Sequence, residues 1–129
     1  MSWVSNVVVS ADIQDRHALE LLSSWLREEA PKRDGASGTG VGFLDDLTPP
    51  EANNWGGWKN PECHLWGGAL NHADLDAVIA KFASLPWQVP AAAQLFVMDQ
   101  EQSYFRLWML RDGQAHQYAP APPPDDTSW

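Results

Sequence analysis

Apolar and polar positions change period several times along the chain, and each change marks an element. Residues 3–11 (WVSNVVVSA) are apolar and β-branched with few breaks, which predicts a central strand covered on at least one face. Behind Asp15 as N-cap, Ala18, Leu19, Leu22, Trp25, Leu26 and Glu29 follow helical spacing with one polar edge, and Pro31 stops that helix. Residues 41–47 predict a short strand with Phe43 and Leu44 facing opposite ways. From 48 to 61 the prolines, glycines and asparagines prescribe turns, and a loop of that length in a compact domain is often functional. Residues 62–70 (ECHLWGGAL) predict a strand whose Gly-Gly pair marks a bulge or the close approach of another backbone.

Asn71 is then expected to cap a second helix, with Asp74 at its third position in a capping-box-like pairing. Leu75, Val78, Ile79 and Phe82 form its inward stripe, and Pro86 ends it. Residues 94–98 and 104–110 predict two strands joined by a polar turn, and Asp112-Gly113 predicts a type I′ hairpin into a closing strand over 114–118. The order βαββαββ, with a short further strand allowed, predicts an α+β ferredoxin-like sandwich: a mostly antiparallel sheet with two helices on one face. The other face of such a sheet is open to a partner subunit, a ligand or long loops. One domain is expected over 1–119, followed by a Pro-rich, loosely held tail over 120–129.

Charge narrows the partners. Seventeen Asp and Glu stand against eight Lys and Arg, a formal net charge of −9, and no stretch is basic. Nucleic acid and anionic membrane surfaces are therefore not expected as ligands, since both require clustered cations. A basic protein partner fits, because an acidic surface speeds its encounter. The N-terminal stretch lacks the charged region and cleavage site of a signal peptide, and no apolar run could span a bilayer, so a cytoplasmic protein is expected.

Candidate chemistry is sparse. Cys63, the one cysteine, has no disulfide partner in the chain, and with His64 it would point to opposite sides of a strand, so neither a metal nor a Cys–His nucleophile pair is expected. The pairs Asp45-Asp46 and Asp125-Asp126 diverge as sequence neighbours and read as solvated charge. The glycines at 35, 38, 40 and 42 match no phosphate-cradling spacing and read as a linker. No cofactor and no catalytic residue is assigned. Eight tryptophans exceed what one small core needs, and Trp55, Trp58 and Trp66, in the glycine-rich stretch 53–72, are the candidate partner-binding residues.

The stretches WGGWKNPECHLWGGALNHADLDAV, LPWQVPAAAQLFVMDQEQSYFRLWML and DGQAHQYAP resemble a group of small bacterial proteins of unknown function, notably actinobacterial. That resemblance implies a scaffold and no reaction. The expected function is a non-enzymatic protein-binding domain, an immunity-like inhibitor of a basic partner in its most concrete form. The alternative is a small-molecule site, or a cofactor-independent monooxygenase resembling the dimeric α+β barrel enzymes in fold, with Asn6, Trp66 and His72 in its pocket. A homodimer is a further possibility.

Overall fold

The structure, a computed structural model, describes residues 3–48 and 56–118. The strand period of two organises β1 (Val4–Asp12): Ser5, Val7, Val9 and Ala11 are buried, while Asn6, Val8 and Ser10 on the other side are half-buried. This strand is paired on both edges, with β3 (Cys63–Asn71) over its whole length and with β4 (Gln94–Asp99) from residue 5 to residue 10. β2 (Asp45–Asp46) lies outside β3, and β5 (Arg106–Arg111) and β6 (Gln114–Tyr118) form a hairpin outside β4. The strand order is β2-β3-β1-β4-β5-β6, and every neighbouring pair is antiparallel.

The protein is therefore α+β, with a six-stranded antiparallel sheet and two helices. The sheet has one strand more than the order βαββαββ, and the additional strand is the closing one over 114–118, which pairs with β5 along its full length. Asp112 (φ 54°) and Gly113 (φ 74°) both take the positive φ that a type I′ turn requires. β5 begins at Arg106, two residues after the expected start, and β2 is only the end of the strand expected over 41–47.

One side of the sheet carries the core. Leu19, Leu22 and Leu26 of α1 (Arg16–Glu28) and Val78 and Phe82 of α2 (Leu75–Ser84) meet Val7, Val9, Trp66, Leu70, Leu95, Val97 and Trp108 in a single cluster. Each such side chain, taken from water to full burial, contributes about 1.5–3 kcal/mol. No helix among the described residues is long and apolar enough to cross a membrane.

The caps differ from expectation. Asp15 occupies the N-cap position of α1 but makes no cap bond there. Its buried carboxylate turns to the α2–β4 loop, where it accepts from the backbone N–H groups of Gln88 (2.6 Å) and Val89 (3.0 Å). The preceding Asp12 does cap, accepting from Gln14 N at the head of a short 3-10 turn. Asn71 ends β3 instead of starting a helix. The N-cap of α2 is Asp74, whose Oδ1 accepts from Ala77 N, because Asn71 is held in the sheet, paired with Val4 and donating its N–H to Val41 O.

The segment between α1 and β2 is held by backbone hydrogen bonds together with the hydroxyls of Ser23 and Thr39. Val41 N donates to Leu26 O, Asn71 N donates to Val41 O, and Ser23 Oγ both donates to Leu44 O and accepts from Leu44 N, each at 3.0 Å. Gly40, at φ 91°, passes against the end of α1, where a Cβ would collide with Arg27 O. The Gly-Gly pair in β3 makes no bulge, since pairing with β1 runs one to one. Gly68 instead faces the carbonyl of Phe43, and a Cβ there would overlap that oxygen.

Asp46 fastens β2 to α1. Burial raises its carboxyl, but the Arg16 guanidinium (2.8 Å) together with the N–H and hydroxyl of Thr48 outweighs burial and holds it below the ordinary carboxylate value. A carboxyl depressed on folding stabilises above its unfolded pKa, and that stability is lost as pH falls through the folded value.

Asp15→Ala should cost at least about 3 kcal/mol of unfolding free energy in urea titration, the scale of two hydrogen bonds to a charged group. Gly68→Ala should cost about 2 kcal/mol by overlap with Phe43 O, more than Gly67→Ala, whose nearest neighbour is the movable end of Leu47. Asp46→Asn should lower stability at neutral pH and flatten its acid limb, so that variant and wild type converge as pH falls below about 4.

Candidate functional site

The tryptophan-rich stretch divides into an outer and an inner part. Gly56 and Gly57 take φ of 78° and 77° with open space around both, so the backbone conformation alone demands glycine there. The chain that follows leaves Trp58 outside, 97% exposed. Trp66, on β3, faces the helix side with Val9 and Asp46 across from it, is 6% exposed, and lies under the Arg16 guanidinium at 5.3 Å. As a core residue it offers no surface to a partner. Trp55 lies outside the described residues, as does Trp129.

Every other described tryptophan is held by the fold. Trp3 donates from Nε1 to Asp99 Oδ1 at 2.7 Å and lies 4.1 Å below the guanidinium of Arg33. Trp25 is half-buried with the Lys81 ammonium 5.8 Å above it. Trp87 donates to Phe82 O at 2.8 Å and packs against the Phe82 ring. Trp108 pairs with Leu95 in the core. Asp99, expected as a turn acid, is instead the last residue of β4, and it also accepts from Ser5 Oγ at 2.6 Å.

The alternative pocket of Asn6, Trp66 and His72 does not come together. Asn6 pairs with Ala69 and Met98 on the side away from the helices, with its amide donating to Met98 O, whereas Trp66 is on the helix side. His72 sits in the β3–α2 turn at φ 59°, where its backbone N–H donates to Trp3 O and its Nδ1 meets Asn71 Oδ1 at 2.9 Å. An odd–even difference along paired strands puts the sheet itself between Asn6 and Trp66.

Cys63 and His64 separate in the same way. Cys63 lines an open cleft of about 390 Å³ with Ser10, Asp12, Gln94 and Met109. His64 turns to the helix side, with Nε2 3.2 Å from Ile13 O, and its enclosed Nδ1 and the Nε1 of Trp66 two residues on make no hydrogen bond among the described residues. No group of three His, Cys, Asp or Glu among the described residues could hold a metal ion.

Register creates a second surface that the linear sequence does not display. One row runs across the open side through Asp45, Gly67, Val8, Phe96, Leu107 and Tyr118. Adjacent rows add Ala69 and Met98 on one side of it, and Leu65, Ser10, Gln94, Met109 and His116 on the other. Val8, Phe96 and Phe105 border a hollow of about 240 Å³ with apolar walls. Alternation in each strand predicts which residues face outward, but only the pairing shows that they align. No family model, no curated protein and no solved structure matches the chain.

Proposed function

We propose that the chain is a non-enzymatic protein-binding domain, acting as an immunity-like inhibitor of a basic partner with Trp58 at the centre of contact. The observation that carries this reading is the 97% exposure of Trp58, when every other described indole is engaged by its own fold. An indole is the side chain most often found dominating a protein interface, because one rigid ring desolvates a large apolar area. Its position directly after two unobstructed glycines supports docking without disturbance of the core.

The cations support the expected partner. Of the eight Lys and Arg in the chain, Arg16, Arg27, Arg33 and Lys81 lie over aromatic rings of the protein itself. These contacts hold the cations in place on the protein's own rings, and the formal net charge of −9 favours encounter with a basic protein. For the scaffold, the order β2-β3-β1-β4 with α1 and α2 as connections supports a ferredoxin-like core extended by the β5–β6 hairpin.

Trp58→Ala should leave the melting temperature unchanged and weaken partner binding by about 2 kcal/mol, roughly 30-fold. The partner is isolated by crosslinking in the producing cells, with wild type and Trp58→Ala as paired baits, and affinity is then measured by calorimetry with the purified partner. A recovered protein with a net positive charge, lost with the variant, supports the reading. Equal recovery by both baits, or a variant that melts early, overturns it.

A further inference from the structure

The open side of the sheet is built from strand residues of β1 to β6, none of them in the Trp58 loop, and their register bears on what covers it. Among strand residues facing that side, the charged ones are Asp12, Asp45 and Arg111, so the face carries −1 of the formal −9. The rest of the acid surplus is carried by residues outside these strand positions. A face this poor in charge, with Val8, Phe96, Leu107, Met98 and Met109 at its middle, is the kind that antiparallel sheets bury against another layer.

We propose that this layer is a second copy of the chain, packed face to face about a two-fold axis running along β4. Such an axis exchanges β1 with β5 and β3 with β6, and leaves β4 opposite itself. Residues of the same row then meet. Phe96 faces Phe96 of the second copy, and Val8 faces Leu107, beside the hollow bordered by Val8, Phe96 and Phe105. Gly67 lies across from Tyr118, the smallest residue of the row against the largest.

At the end of the face the same operation sets Asp12 of one copy toward Arg111 of the other, twice over. Both residues project to the open side of their strands, Asp12 beside Cys63 and Arg111 beside Gln114. The acid and the base of the face are thus complementary under the one operation that also matches small to large. Stacked sheets cross at about 30°, an offset at this radius that the long arginine stem can span.

The area is sufficient. Five strands at about 4.8 Å spacing and five residues at about 3.4 Å give roughly 400 Å² of projected sheet per copy. Two copies, with the relief of their side chains, reach the roughly 1,000 Å² that separates biological interfaces from incidental ones.

The test uses the full chain in sedimentation equilibrium over a dilution series. The expected species has twice the 14.3 kDa chain mass, and Phe96→Glu reduces it to the monomer with helix and sheet content retained. Arg111→Asp and Asp12→Arg should each weaken the dimer at least about tenfold by setting like charges together. Mixed in equal amounts, the two variants should reassociate, because both cross-dimer pairs of the mixed species again join an acid to a base. Asp12→Arg also loses the cap on Gln14 N, so the Arg111→Asp result stands by itself if the other variant unfolds. Trp58→Ala should leave the dimer intact, which keeps this result independent of the binding loop. A wild-type monomer at every concentration overturns the proposal, whether the face is then covered by the residues after Tyr118 or by a different protein. A dimer that survives Phe96→Glu, or a mixture of folded variants that fails to reassociate, also overturns it.

Discussion

β1 is hydrogen-bonded along both edges, and that double pairing sets the geometry of everything around it. A strand locked on both sides cannot slip by one residue without sending its whole buried set to the wrong face. Ser5, Val7, Val9 and Ala11 are therefore committed to the helices, and Asn6, Val8 and Ser10 to the other side. Through the pairings, the same commitment passes outward to β3 and β4, and from them to β2 and the β5–β6 hairpin. Two layers and two chemically different surfaces follow from that one register.

Over the core, a few polar side chains do what additional strands or helices do in larger domains. Asp15 ties the α2–β4 loop to the start of α1, Ser23 holds the segment leading to β2, and Asp99 gathers Trp3 and Ser5 at the end of the sheet. Each joins elements far apart in sequence, and each satisfies groups that would otherwise be left without partners on leaving water. Arginines and a lysine laid over Trp3, Phe43, Trp66 and Trp25 add a second set of ties near the surface. Most of the tryptophan excess is thus absorbed by packing and by cation–ring contacts, and the ring that is left over stands out for that reason.

The two surfaces differ in chemistry. Trp58 projects from a loop on an acidic molecule, a setting for an isolated anchor and long-range attraction. The open sheet face is broad, nearly uncharged and arranged in rows, a setting for another flat layer.

The linear pattern alone determined the helices, most of the strands, the Asp112-Gly113 turn and the inward stripe of α2, because periodicity and turn chemistry act within a few residues. It also determined that Cys63 and His64 diverge. Tertiary structure decided the caps, the register and the fate of each tryptophan. Asp15 looks like a helix cap locally, yet its carboxylate is drawn to backbone donors 73 and 74 residues away, which no local rule can see. Trp58 and Trp66 are alike in composition and neighbourhood, but one lies in a glycine turn and the other at an even position of a strand whose even side is covered by helices. Burial is a property of what packs across from a residue, and that is settled only when distant segments have met.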